Sequence, residues 1–368
     1  MRITDVVVES YRAPIDPPIS NGRYTYATID LCLVRISTDE GITGLGVGDG
    51  GVTLQGAPEM IRGTVASLQP ALLGENPLHT ERIWSKLWSP KLLGRRGFTT
   101  RVVSAVDLAL WDLKGRVFGV PVATLLGRFR ERLPVYVAGG YYREGGGLPE
   151  LADELSAYVA AGAQAVKIKI GGASLREDML RIRTARQAIG DDTKLLVDAN
   201  NAYRLHEAID IAHRLEEFDV FWFEEPLMPD DYRGHAILSR QARVPIAAGE
   251  NEYTRYGFRD LIEHQSATIL NPDAQFVGGV SEFMKVAALA QAHDLPIAPH
   301  GNPGIHVHLA TAIPNGLIVE YSKGPWNGLW DRLFGWRLEI VDGMVAPPDR
   351  PGFGLEPDEK ALAEWRVL

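Results

Sequence analysis

Lys167 and Lys169 stand two positions apart in AVKIKIGG (residues 165–172), a run that otherwise reads as a buried strand. Side chains alternate along a strand, so both lysines point to one face while Val166, Ile168 and Ile170 point to the other. Two ammonium groups on one face of an interior strand cost several kcal/mol unless anions, a metal site or water meets them. A solvated strand edge is the bland alternative. Asp198, Glu224 and Glu250 end three further apolar runs, KLLVDAN, VFWFEEP and VPIAAGEN, at equal spacing. Three carboxylates converging on one point repel unless a cation lies between them, and hard oxygens without thiolates favour Mg²⁺, with Mn²⁺ as a substitute. Asp273 and His300 end ATILNPDAQ and LPIAPHGN, an arrangement in which a carboxylate fixes the imidazole tautomer and raises its basicity. Glu225 is expected to be an outward or supporting salt-bridge partner, and His306 and His308 to be structural.

These residues need a scaffold that gathers strand ends. The first fifty residues alternate in period two, with Asp39-Glu40-Gly41 as a hairpin turn, and Gly56 to Gly127 shifts to helical spacing. Strands followed by helices suggest an α+β unit. After Leu133, eight short apolar strands alternate with amphipathic helices, from LPVYVAGG to GLIVEYS. That rhythm predicts an α/β fold of the (β/α)7β TIM type, with the active site at the C-terminal strand ends. KGPWNGLWDRLFGW follows the eighth strand where a last helix would be. The expected organisation is an α+β cap over residues 1–130, a barrel over 131–325, and a segment over 326–368 that returns to the cap.

The chain has 368 residues, 45% of them hydrophobic and 23% charged, with a net charge of -9. No basic stripe stands out, which argues against nucleic acid. The single cysteine, Cys32, excludes an intramolecular disulfide and any multi-cysteine metal site. No apolar run reaches about 18 residues, so no membrane span is expected, and the reading is cytoplasmic. A nucleophilic triad has no support, because no serine or cysteine sits in a G-x-S-x-G elbow.

The ordered set K-x-K, D-x-N, E-E-P, G-E-N, P-D-A-x-x-x-G-G and P-H-G resembles the mandelate racemase subgroup of the enolase superfamily. The likeness covers nearly the whole chain, including the tail PGFGLEPDEKAL. It implies that Asp198, Glu224 and Glu250 bind Mg²⁺, that Lys169 is one acid/base, and that His300 with Asp273 is the other. Lys167 would face the substrate carboxylate, and a protonated Glu320 would donate to the enolising oxygen. Lys167 and the metal would depress the pKa of Lys169, which must be neutral to act as a base. Asp273 stands where muconate-lactonising relatives have a second lysine, so a lysine/lysine mechanism is excluded.

The enolate from α-proton removal can be reprotonated on the other face or can expel a β-hydroxyl. Asn21, Arg23 and Tyr24 in the cap loop, Arg95 and Arg96 in a second loop, and Tyr141, Tyr142 and Arg143 after the first barrel strand offer donors to several hydroxyls or a distal carboxylate. Asn200 beside the metal set is a further substrate contact. The preferred reading is a dehydratase making a 2-keto-3-deoxy acid from an aldonate or aldarate, with a racemase or epimerase of a 2-hydroxy acid as the alternative. A non-catalytic sugar-acid-binding protein is disfavoured, because Lys169, Asp273, His300 and Glu320 are all present. The expected partner is a small carboxylic acid, in a homo-oligomer.

Overall fold

The computed structural model describes residues 1–49, 56–88, 96–322, 330, 333–334 and 338–367. The N-terminal alternation forms β1 (Ile3–Ser20), β2 (Thr25–Thr38) and β3 (Thr43–Asp49), an antiparallel meander. The β2–β3 turn falls where expected, with Gly41 at φ 76°, a left-handed value that glycine adopts at no steric cost. Helices α1 (Ala57–Leu72), α2 (Thr80–Leu87), α3 (Phe98–Phe118) and the short α4 (Val122–Leu125) follow. α3 lies directly on β3. A Cβ on Gly44 or Gly46 would come within 2.2 or 1.9 Å of an α3 carbonyl oxygen, so only glycine permits that approach.

The barrel opens with β4 (Leu133–Ala138), and β5 (Tyr142–Arg143) leaves it to join the cap sheet beside β1. Then come α5 (Leu148–Ala160), β6 (Ala165–Lys169), α6 (Leu175–Ile189), β7 (Lys194–Asp198), α7 (Leu205–Leu215) and β8 (Val220–Glu224). The series continues with α8 (Tyr232–Gln241), β9 (Ile246–Ala248), α9 (Thr254–Glu263), β10 (Ile269–Leu270), α10 (Gly279–Gln291), α11 (Pro303–Ala312) and β11 (Val319–Ser322). Seven parallel strands curl in the order β10-β9-β8-β7-β6-β4-β11. Helices cover the outer face, so Val166, Ile168, Leu195 and Val197 pack against Leu155 and Ile182. The inner face is a layer of Tyr136, Ala165, Leu196, Trp222, Ala247 and Ala298, a filled core rather than a pore.

LPIAPHGN was expected to be a full seventh strand, and it is not. Only Ile297 pairs, bridging in parallel to Leu270 on one side and Gly316 on the other. Pro296 and Pro299 flank it and have no N–H to give to a ladder. That one bridge joins the two edges of the curled sheet and still delivers His300 to the rim. The expected absence of an eighth barrel helix concerns residues 323–329, 331–332 and 335–337, which lie outside the described residues. Farther on, β12 (Met344–Val345) pairs with β4, Gly352 bridges Pro121, and Arg366 bridges Tyr11. No helix among the described residues is long and apolar enough to cross a membrane.

α3 is tied to α10 by buried polar contacts. Asp107 accepts from the Ser281 N–H (2.9 Å) and hydroxyl (2.7 Å), and Gly278 N–H donates to Ser104 Oγ at 2.9 Å. Burial, partly offset by the two Ser281 bonds, pushes the Asp107 carboxyl up to about 7. The folded state thus holds a proton that the unfolded chain releases near pH 4, so this group's contribution to stability falls as pH rises from about 4 to about 7. Asp107→Asn should remove that slope. The melting temperature of the variant is expected to gain on the wild type across that window, by at most about 4 kcal/mol of stability. A constant difference between the two melting curves from pH 4 to 7.5 would contradict the assignment.

Candidate active site

β7 and β8 end on Asp198 and Glu224, and Glu250 follows β9 by two residues. All three are buried, and one carboxylate oxygen from each lies within 4.8 Å of the others. Around them stand both lysines of β6. Lys167 Nζ lies 2.9 and 3.1 Å from the two Glu224 oxygens, 3.4 Å from Glu320 Oε1 and 3.5 Å from Asp198 Oδ2. Lys169 Nζ lies 2.5 Å from Asp198 Oδ2. The opening puzzle of two lysines on a buried strand has its answer in these anions. Trp222 Nε1 holds Glu224 at 2.9 Å, and the Asn200 N–H holds Asp198 at 2.9 Å. Glu250 Oε2 is buried without a hydrogen bond, as is Asn200 Oδ1.

This donor set fits a hard divalent cation: three carboxylates, no sulfur, and one buried carboxylate oxygen that accepts no hydrogen bond. The electrostatics agree. Burial outweighs the Lys167 charge and pushes Glu224 up to about 8, the strain expected of several acids in one dry pocket. Asp198 is also penalised by burial, yet Lys169 and Lys167 hold it below the usual carboxylate range. For Lys169 the expectation was a pKa depressed by Lys167 and the metal together, and the protein's own groups act the other way. Burial lowers it most, but Asp198, Tyr141 and Glu250 together outweigh burial and Lys167, and the ammonium sits above its ordinary value. A divalent cation on Asp198 would take up that carboxylate's charge and move Lys169 back down.

His300 and Asp273 meet, with Nδ1 3.0 Å from Asp273 Oδ2, while the other aspartate oxygen accepts from the Gln275 N–H at 2.7 Å. His300 Nε2 lies 3.5 Å from Glu250 Oε2. Burial disfavours the imidazolium, but Glu250 and Asp273 together push it up to about 10. Glu320 accepts from the Gly301 N–H (2.9 Å) and from the Tyr136 hydroxyl (3.1 Å). Burial raises its pKa, but Lys167, His300 and Lys169 override that and hold it well below the usual range. These three cations favour the carboxylate form of Glu320, where the resemblance implies a protonated one. Lys167 is wholly enclosed and is absent from the cavity wall, because its ammonium is engaged below the rim. Glu225 is buried as well, its oxygens accepting from Asn251 Nδ2 at 2.9 and 3.0 Å, so an amide takes the place of the expected ion pair. His308 accepts from the Ala123 N–H and meets the Phe353 carbonyl, and His306 accepts from the Ala274 N–H.

A cavity of about 570 Å³ lies over this mouth. Lys169 and His300 both reach it, from the second and seventh strands, together with Asn200, Glu250, Asp273 and Glu320. The cap supplies Tyr24, Tyr26 and Arg101 to the opposite wall.

The mandelate racemase/muconate lactonizing enzyme N-terminal domain matches residues 3–127, and the enolase C-terminal domain-like family matches residues 150–361. The chain belongs to the mandelate racemase group of the enolase superfamily. It is 33% identical to an arabinonate dehydratase of Saccharolobus solfataricus, over 92% of this chain and 91% of that protein. It is 35% identical to a 3,6-anhydro-alpha-L-galactonate cycloisomerase of Streptomyces coelicolor, over 99% of each. The crystal structure of an L-talarate dehydratase from Polaromonas sp. JS666, complexed with Mg and L-glucarate, superposes with a TM-score of 0.88 at 34% identity, covering 100% of this chain and 98% of that one.

On this superfamily scaffold the cap residues divide. Asn21 lines the cavity, but its Oδ1 closes a turn by accepting from the Arg23 and Tyr24 N–H groups, and its amide donates to Tyr26 OH. Arg23 points elsewhere, onto the Asn201 carbonyl and the Met228 sulfur, and is exposed. Tyr142 lies behind the wall, donating to Asp178 under the Arg181 guanidinium. Arg96 pairs with Asp260, Arg143 with Glu154, and Arg95 lies outside the described residues. Arg23→Ala is therefore expected to change kcat/KM on an acid sugar by no more than about twofold, the scale of a surface substitution. A tenfold loss with an unchanged melting temperature would put Arg23 back in the site.

Sequence reasoning missed Tyr26, Tyr253, Phe276 and above all Arg101, although a signal existed. Arg101 shares a helical face with Ala105 and Leu108, at i+4 and i+7, and both are buried. A cation on a buried stripe asks for a reason.

Proposed function

We propose that this protein is an acid-sugar dehydratase, converting an aldonate or aldarate to a 2-keto-3-deoxy acid. The observation that carries the reading is one cavity into which Lys169 and the His300–Asp273 pair both open, beside three clustered carboxylates and under a wall rich in tyrosine and amide groups. The dehydratases among the relatives support it. Asp198, Glu224 and Glu250 would hold Mg²⁺, with Mn²⁺ as a substitute. When bound, that ion supplies positive charge to the oxygens of the substrate carboxylate, where negative charge develops.

The chain's own groups do the proton work. One member of the Lys169/His300 pair takes the C2 proton, and the other protonates the C3 hydroxyl, which departs as water. The C2–C3 double bond forms from the C–H pair, and the resulting enol tautomerises to the 2-keto-3-deoxy acid. Asp273 orients His300 and stabilises its imidazolium. Lys167 lies beneath Glu320 and Glu224 and sets the charge of that floor. The cap of residues 1–130, with the returning segment 326–368, would exclude water from the 131–325 barrel mouth, and a cytoplasmic setting suits the lone buried cysteine. A second reading, epimerisation or cycloisomerisation, draws on the same two-sided acid/base pair and on the cycloisomerase relative.

A panel of aldonates and aldarates, incubated with the enzyme and Mg²⁺ and developed with semicarbazide, distinguishes the two. Keto-acid absorbance in the ultraviolet is expected for at least one acid sugar. A panel that gives only epimers, or an enzyme that turns over aromatic 2-hydroxy acids best, would contradict the dehydratase reading.

A further inference from the structure

We infer that Tyr136 is a positioning residue for Glu320: its hydroxyl and the Gly301 N–H together occupy one carboxylate oxygen, so that the other is the oxygen Glu320 offers to the substrate. This rests on the proton-transfer site proposed above and adds a residue to it.

The placement follows from the sheet. β4 and β11 run parallel with Tyr136 and Glu320 as register partners, which sets the two side chains next to each other on one face. The ring is fixed from a second side, edge-on to Trp222, with centroids 5.3 Å apart at 90°. Trp222 in turn holds Glu224 through Nε1. Packing on Trp222 asks only for the ring, whereas both partners of the hydroxyl are charged groups of the site. Tyr136 is wholly buried in the inner layer of the barrel. It therefore reaches the substrate only through Glu320, which lines the cavity.

The chemistry of the partners settles the direction of each hydrogen bond. An ammonium has donors and no acceptor, so Lys167 Nζ, 3.4 Å from the Tyr136 oxygen, donates to it. The phenol has one hydrogen to give, and Glu320 Oε2 stands 3.1 Å away to accept it. Burial above all, with the Glu320 charge, pushes the phenol well above its ordinary value, so it keeps that hydrogen. The Gly301 N–H reaches the same carboxylate oxygen at 2.9 Å. A carboxylate oxygen has two lone pairs, and both of those on Oε2 are thereby engaged. Oε1, 3.4 Å from Lys167 Nζ, is then the atom that accepts from a substrate hydroxyl, or that carries the proton when Glu320 is protonated. Without the phenol hydroxyl the carboxylate is held by one donor fewer and presents either oxygen.

The test is Tyr136→Phe, which removes the hydroxyl and keeps the ring, on the Mg²⁺-loaded enzyme. The kcat should fall by about 10- to 100-fold, the scale of one hydrogen bond to a charged group, while KM stays within about threefold. The same substitution in a Glu320→Gln background should cost less than about threefold more, because it acts through a residue already changed. A tyrosine with a purely structural role would lose the same factor in both backgrounds. Activity is read as keto-acid formation and, separately, as exchange of the C2 proton in deuterium oxide. Exchange reports proton removal whichever product follows, so a failure of the dehydratase reading remains separable. If the phenylalanine variant does not fold, Tyr136→Met, which fills the space with a flexible apolar chain, is judged on the same cycle. A kcat within about threefold of wild type in a folded variant by both readouts, or an equal loss with and without Glu320, overturns the assignment.

Discussion

Lys169→Ala should lower kcat for keto-acid formation by about 10³- to 10⁴-fold, and His300→Asn should cost a similar factor. A positioned acid/base contributes on that scale, and the elimination needs one group to take the C2 proton and another to protonate the leaving hydroxyl. The two residues are held independently, Lys169 against Asp198 and His300 against Asp273, so neither can cover the other's place. Losing both should cost little more than losing one, because the pair acts as a unit. The KM of each variant should stay within a few-fold, since the carboxylate floor and the cap wall are intact. The check is steady-state kinetics of purified variants whose melting temperatures match the wild type. Either single variant retaining a tenth of wild-type kcat would remove that residue from the proton-transfer pair.

Stripping divalent cations with EDTA should abolish turnover, by about 10³-fold or more, and adding Mg²⁺ should restore it. Lewis-acid stabilisation is worth several kcal/mol, and the same ion relieves a cluster of buried carboxylates that otherwise relies on two lysines. Binding should therefore also show in stability. At a hundredfold excess over its dissociation constant, Mg²⁺ would add about 2.7 kcal/mol, visible as a rise of a few degrees in melting temperature. Glu250→Gln should blunt both effects, because Glu250 supplies the buried oxygen that accepts no hydrogen bond from the protein. Full turnover in metal-depleted protein, or a melting temperature indifferent to Mg²⁺, would contradict the metal assignment.

The strand ends were legible because their residue types violate the pattern around them. A lysine pair in AVKIKIGG and an acid ending each of the next three runs have no place in a buried sheet except at a rim. Three things were not legible. The seventh strand looked as strong as its neighbours by apolar content, yet Pro296 and Pro299 reduce it to the single bridge at Ile297. The charge states depend on distances that spacing does not give. Lys169 was expected to be depressed by Lys167 and the metal, but it lies against Asp198, and Glu320 sits among three cations. The cap side chains depend on packing between distant segments. Arg23 belongs to a polar loop and turns away to Asn201, while Arg101 belongs to an apolar-looking helix and lines the cavity.

The central claim, that one site removes a C2 proton and expels the C3 hydroxyl, is tested most directly by running the reaction in deuterium oxide and examining the product by ¹H NMR. Dehydration through an enol predicts a 2-keto-3-deoxy acid carrying one deuterium at C3, delivered to one face, and that product should be absent with Lys169→Ala and with His300→Asn. Recovery of an intact acid sugar with deuterium at C2 and no keto acid would contradict it.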